Sequence, residues 1–296
     1  MEKCPKIGIN SLKIREFGGI IDASEVEIIE LGLDENFLEE EKEKELLSKA
    51  TELISAFGVG FTIHAPHSDS EIERIRVDFS TNDRKNFAVM EKVLKIAAKI
   101  EVRYIVIHPG NLTDSRKCRN LSIINLIRLS ALAEEYGATL LLENLFDRAG
   151  RNKIGVLPGE ILYIIEAVGS EHLKINLDIG HAFITSNAYG VSLDDYFELG
   201  EYINQFHLHD NFGIMKPEES MFWDRHLPLG LGKINFREVF KNIRKTDARN
   251  LILELKNSGK EDTLKSLAQI REFTKGLQWL TPVIAYYPEQ TVESAR

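Results

Sequence analysis

The chain has 296 residues, 43% hydrophobic and 28% charged, which suits one large domain or two ordinary ones with a core that needs no covalent staples. The formal net charge is -9 and no Lys/Arg-rich run is present, so the sequence shows no footprint of broad nucleic-acid binding, which weighs against DNA as substrate without excluding it. Cys4 and Cys118 sit in no metal spacing and read as reduced thiols; with no signal-peptide core and no apolar run near the roughly 20 residues that cross a bilayer, the cytoplasm is the expected location, with no membrane partner.

In chain order, short aliphatic runs alternate with amphipathic stretches. KIGIN (from Lys6) and EVEIIELG (from Glu25) come first, followed by helical spacing over residues 39–57. GFTIHAP (from Gly60) precedes a helix predicted over 86–100, with Val89, Met90, Val93, Leu94 and Ala97 on one stripe. YIVIHPG (from Tyr104) leads into 121–136, TLLLENL (from Thr139) into 159–168, and LKINLDIG (from Leu173) is followed by INQFHLHD (from Ile203). A long connection, 211–234, precedes a helix over 236–244; LILELK (from Leu251) and a helix over 262–273 complete the pattern.

The runs number eight, and they read as strands buried on both faces. Strand and helix in alternation imply parallel strands with right-handed crossovers, and eight units fit a closed (β/α)₈ TIM barrel. An open doubly wound sheet would want a Gly-rich phosphate loop after an early strand, which the sequence lacks. The expected organisation is one α/β barrel domain over residues 1–278 and a C-terminal tail over 279–296.

The eight histidines carry the chemistry. His64, His67, His108, His181, His207 and His209 fall near the C-terminal ends of proposed strands, the face on which barrel active sites lie. Glu143, Asp178 and Glu254 end apolar runs at the same level, where an unpartnered buried carboxylate calls for a metal or a cation. W-D-R-H in the long connection adds Asp224 and His226, two apart and so on one side of an extended chain. Imidazole with carboxylate suits zinc, manganese or iron(II) and is unlike a calcium site.

The motifs P-H (His67), I-H-P-G (His108), L-E-N (Glu143), L-D-I-G-H-A-F (Asp178, His181), F-H-L-H-D (His207), D-R-H-L-P-L-G-L-G (Asp224, His226) and L-I-L-E (Glu254) run in order along the chain. In them the chain resembles the xylose-isomerase-like barrels over nearly its whole length, most closely their endonuclease IV branch. The resemblance implies up to three Zn2+ ions, with Mn2+ as another candidate. Glu143 would bridge two metals, His67 and His108 would serve one of them, Asp178, His207 and Glu254 the other, and His181, Asp224 and His226 a third. It implies hydrolysis of phosphoester bonds, with abasic DNA as the best-known substrate class and the metals stabilising charge on attacking and leaving oxygens. Simpler isomerases and epimerases of the superfamily use a four-ligand set that Glu143, Asp178, His207 and Glu254 could supply.

Two features depart from the DNA-cutting branch. DENFLEEEKEKE follows the second strand, and its charge would repel phosphate; the loop after His67, SDSEIERIRVDFSTND, lacks a tyrosine-containing insertion. A metal-dependent sugar or sugar-phosphate isomerase or epimerase is therefore the second reading, with Glu143 or Glu254 as base, and a non-catalytic metal- or sugar-binding barrel the third. His64 and His209 are expected to line the site or support it, and Asn144 and Asp210 to orient ligands. Arg148 and Arg225 could meet a phosphorylated substrate, or form surface ion pairs. Trp223 reads as packing, residues 39–45 as a solvated acidic helix face, and His172 as a surface residue at the bottom of the barrel.

Overall fold

Short runs of Ile, Leu and Val, too brief for a stable helix and apolar on both faces, are satisfied by a parallel sheet closed on itself. The computed structural model, which describes residues 4–16, 25–33, 37–69, 73–148, 151–213 and 224–275, shows that barrel. Its strands are β1 (Lys6–Asn10), β2 (Ile28–Gly32), β3 (Gly60–His64), β4 (Tyr104–Ile107), β5 (Thr139–Glu143), β6 (Leu173–Asp178), β7 (Ile203–Leu208) and β8 (Asn250–Leu253). Each pairs in parallel with the next, and β1 closes on β8 with Ile7 opposite Leu251. All eight aliphatic runs are thus strands, and the (β/α)₈ class expected from the sequence is the observed one.

Around the barrel lie α1 (Ser11–Glu16), α2 (Glu40–Phe57), α3 (Lys85–Lys99), α4 (Ser115–Glu135), α5 (Pro158–Val168), α6 (Ile179–Tyr189), α7 (Phe236–Ile243) and α8 (Lys260–Thr274). The stripe Val89, Met90, Val93, Leu94 and Ala97 of α3 is buried, as its spacing requires. Two helices escaped the periodicity. The six residues of α1 are too few to show a period. In α6 the apolar residues do not fall in one stripe; Asp178 caps its start by accepting the His181 N–H at 2.7 Å, and Gly190 ends it in the left-handed region.

The acidic stretch 39–45 is only partly solvated. Glu39, Glu40 and Glu41 are exposed, whereas Glu43 is buried against α3, where it accepts from Lys92 and from Lys99 at 2.6 Å. The expected tail, 279–296, and Trp223 lie outside the described residues. No described helix is long and apolar enough to cross a membrane.

Candidate metal centre

A slip in β7 sets the site. Ile175 pairs with Ile203, but the next residue, Asn176, pairs with Gln205, so Asn204 is an extra residue in the ladder. Such a bulge re-aims the side chains that follow. Beyond it, Gln205, His207 and His209 alternate by two and are all fully buried. The register puts Asp178 beside His207 and Asn176 beside Glu143, whose Oε2 accepts from the Asn176 amide at 3.2 Å.

His207 is the hub. Its Nδ1 lies 3.3 Å from Glu254 Oε2, 3.5 Å from Glu143 Oε2 and 3.8 Å from Asp178 Oδ2, and it makes no hydrogen bond. Its Nε2 donates to Glu30, whose oxygens lie 2.9 and 3.0 Å away. Glu30 therefore fixes the ring so that Nδ1 points among three carboxylates; against burial, Glu30, Glu143 and Glu254 hold the pKa of the ring well above its ordinary value. That is how second-layer carboxylates orient metal-binding histidines. A buried nitrogen without a partner, ringed by anionic oxygens, fits a divalent cation, and both ring nitrogens of His108 are likewise buried and unbonded.

Three sets of donor atoms lie within 4.8 Å of one another: His64, His108 and Glu143; Glu143, Asp178 and His207; and His181, His209, Asp224 and His226. Glu143 belongs to two sets, which suits a bridging role. Glu254 joins the His207 set through its 3.3 Å approach. His64 faces Glu143 Oε2 at 3.4 Å, in the place expected of His67. His67 stacks on His108 with ring centroids 4.4 Å apart, and its Nδ1 accepts the Asp69 N–H at 3.2 Å, so it stands outside the three sets.

The supporting residues are legible in the hydrogen bonds. Asn144 clasps Asp178 through both amide atoms, at 2.7 and 2.9 Å, and its carbonyl holds His181 Nδ1 at 3.0 Å. Asp210 accepts backbone N–H groups of Asn211, Gly230, Gly232 and Ile234, so it shapes the return loop rather than reaching into the site. A Cβ at residue 232 would lie 2.3 Å from Asp210 Oδ1, so glycine alone fits there. His226 sits at φ 44, a conformation non-glycine residues seldom hold, and is fixed there by Nδ1 donating to the Glu254 carbonyl at 2.9 Å. Arg148 lies over the Phe146 ring at 5.2 Å, and Arg225 is exposed between Asp224 and His226. His172 is half-buried at the other end of the barrel, tied to the Ala138 carbonyl.

Burial opposes charge on these groups, and their mutual attraction overrides it. Around Glu143, burial raises the carboxyl, but His207 and His108 hold it well below the usual range. Glu254 and Asp224 are held well below it in the same way, chiefly by His226. Burial also works against protonated His64 and His181. Glu143 nevertheless pushes His64 up to about 9, and Asp178 with Asp224 pushes His181 up to about 10. These carboxylates with His64 and His181 form a lattice of alternating charges, whereas burial lowers His67 and His108.

Glu30 is the residue the sequence reading missed. It is buried in β2 and also accepts from Gln205 Nε2 at 2.6 Å. Its signal was present, since an acid inside the apolar run IIELG is the same anomaly that singled out Glu143.

The family model for the xylose isomerase-like TIM barrel matches residues 21–282. An uncharacterised protein of Methanocaldococcus jannaschii is 29% identical over 84% of this chain and 89% of its own length. A probable endonuclease 4 of Thermosipho africanus is 30% identical, over 51% of this chain and 54% of the relative. The crystal structure of a D-tagatose 3-epimerase-like protein superposes with a TM-score of 0.71 and 25% identity, covering 90% of this chain and 96% of that one.

Proposed function

The chain belongs to the xylose isomerase-like TIM barrel family, and from that premise we propose that it is a divalent-metal-dependent isomerase or epimerase of a small carbonyl sugar or sugar phosphate. The observation that carries the reading is the unbonded His207 Nδ1 ringed by Glu143, Asp178 and Glu254. When bound there, a metal supplies a Lewis acid that polarises the substrate carbonyl and acidifies the neighbouring C–H. Glu143, at the end of β5, and Glu254, just after β8, both kept ionised, would take that proton and return one. Two carboxylates flanking one carbon permit removal on one face and return on the other, which inverts the centre. Glu30, through His207, holds the geometry.

Charge at the rim favours a small substrate. Helix N-termini of a barrel lie on the face of the site, and the first turn of α2 presents exposed Glu40 and Glu41, with Glu39 just before it. A polyanion approaching that face meets repulsion. The likeness to the D-tagatose 3-epimerase-like protein extends over most of both chains, which supports the same choice.

Phosphoester hydrolysis is the second reading. It is favoured by the additional set at His181, Asp224 and His226, which a one-metal isomerase does not need, and by the partial likeness to a probable endonuclease 4. Incubating the metal-loaded chain in D2O with a panel of keto sugars and their phosphates, beside abasic-site DNA and a small phosphodiester, separates the two. Deuterium entering at the carbon next to the carbonyl supports isomerisation. Cleavage of the DNA or diester with no exchange in any sugar overturns it.

A further inference from the structure

The segment that carries Asp224 and His226 meets the barrel wall in a tight cluster of side chains, beside the main-chain bonds of Asp210 with Leu227 and of Lys256 with His226. From its geometry we infer that His209 is the fourth ligand of a closed divalent-cation site formed with His181, Asp224 and His226. This site is separate from the open centre around His207, and it fastens the return segment to the barrel rather than touching substrate. It shares with the proposed function the reading of this rim as metal-binding, and adds to it a ligand, a coordination number and a role.

His209 is the second residue after His207, so the alternation of β7 turns it inward, and it is completely buried. Its Nε2 lies 3.6 Å from Asp224 Oδ1, a buried oxygen that makes no hydrogen bond. On the other oxygen, His181 Nε2 stands 3.5 Å from Asp224 Oδ2, which His226 Nε2 also contacts. The three imidazoles are oriented alike. His181, His209 and His226 each turn Nδ1 to a main-chain carbonyl, of Asn144, Asp210 and Glu254 at 3.0, 3.4 and 2.9 Å, and present Nε2 to the cluster. Three nitrogens and one carboxylate oxygen converging on one volume make the donor set and the number that tetrahedral zinc takes.

Room for His209 has been made on purpose. A Cβ at Gly180 would lie 1.9 Å from His209 Cε1 and 2.5 Å from its Nε2, so the imidazole occupies space only glycine leaves. A site with four protein ligands has no open position for substrate, whereas the His207 centre faces Glu254, which is 19% exposed at the mouth. Two other contacts bear on the cluster. Lys256 Nζ, on a side chain 47% exposed, donates to His226 Nε2 at 2.7 Å from the solvent side and is free to withdraw. His209 Nε2 also lies 3.2 and 3.3 Å from the oxygens of Asp178, so the competing role is that of a donor positioning Asp178.

The test uses the full chain, stripped by a strong chelator and reloaded with cobalt(II), with metal counted by elemental analysis and read by visible absorption. Four-coordinate cobalt absorbs far more strongly than five- or six-coordinate cobalt. The wild type is expected to show the intense band, and His209→Asn to lose it together with one cation per chain. His209→Cys is expected to restore the cation and add a sulfur-to-cobalt charge-transfer band. Gly180→Ala, which drives the ring aside, is expected to lose the intense band as His209→Asn does. Circular dichroism matching the wild type separates lost ligation from lost fold. If His209→Asn keeps both band and count, or the Cys variant binds cobalt without the charge-transfer band, His209 serves Asp178 and the closed site is refuted. A wild type that takes up no cation at all overturns instead the metal-dependent function itself.

Discussion

Replacing Glu30 by glutamine keeps shape and removes one charge, and its consequences can be worked from three hydrogen bonds. In the native barrel Glu30 accepts from His207 Nε2 at 2.9–3.0 Å and from Gln205 Nε2 at 2.6 Å. Gln205 in turn uses its oxygen to accept from Asn250 Nδ2 at 3.2 Å. A glutamine at 30 cannot serve both: with its oxygen in the Oε2 place its NH2 stands 2.9 Å from His207 Nε2, and with the amide reversed its NH2 meets the NH2 of Gln205, donor against donor in either case. Turning Gln205 over only moves the conflict to Asn250. One buried donor is left unsatisfied, which lowers stability by about 1–3 kcal/mol. The neutral partner also makes His207 a poorer ligand, and loss of such a supporting carboxylate weakens metal affinity about 10–100-fold, or about 1.4–2.7 kcal/mol. Titration of the stripped chain with zinc against a chromophoric chelator reads the affinity, and thermal unfolding of the stripped chain reads the stability. A variant that binds zinc as the wild type does would show that His207 is not oriented through Glu30, and the account of the centre would fail at its root.

Glu254→Gln is expected to lower the rate of carbon–deuterium exchange by about 10²–10⁴-fold, the usual contribution of a general base, while circular dichroism stays as in the wild type; exchange at the wild-type rate would remove Glu254 from the proton transfer. The response to pH follows from the histidines. In the metal-free chain burial disfavours protonated His64 and His181, yet their carboxylate neighbours raise them to about 9 and about 10, above an unfolded value of 6.5. Groups raised on folding contribute stability that is complete below the unfolded value and is lost as pH climbs through the folded ones, so the stripped chain should weaken from about pH 7 upward. Zinc needs the neutral imidazoles, so its rise in Tm should be larger at pH 8.5 than at pH 7, and a rise independent of pH would refute the charge lattice.

The barrel was legible because its signal is redundant. Eight aliphatic runs spaced by amphipathic stretches leave few other closed arrangements, and an error in any one run would not have changed the fold. The cluster of histidines and carboxylates was legible for a related reason. Residues such as Glu143 and Asp178 end apolar strands, where nothing but a site explains them. Individual partners were less legible. Which histidine near the end of β3 faces Glu143 depends on the path of three residues, Ala65 to His67, and on the Asp69 N–H that takes the His67 ring nitrogen. Neither is written in local composition. The helix α6 hid because its buried face is set by the cap at Asp178 and by the barrel, not by an apolar stripe.

The orientation of β7 depended on a single residue. Strand periodicity alone allows either His207 or Leu208 to face the interior, since a one-residue slip exchanges the two faces. The extra residue at Asn204 decides it, and with it the fate of Gln205 and His209. That one choice joins the two halves of the rim. It lets Gln205 brace Glu30, Glu30 orient His207 toward three carboxylates, and His209 reach Asp224 on the opposite side of Asp178. An open centre needs rigid walls if its carboxylates are to meet a sugar carbon in the right geometry, because small misplacements of catalytic groups are costly in rate. The His181, His209, Asp224 and His226 cluster supplies such a wall, since it fixes the segment whose His226 Nδ1 holds the main-chain carbonyl of Glu254 at 2.9 Å. Under the proposed function, the additional residues that resemble hydrolytic machinery thus have a sufficient use in holding one carboxylate of an isomerase in place.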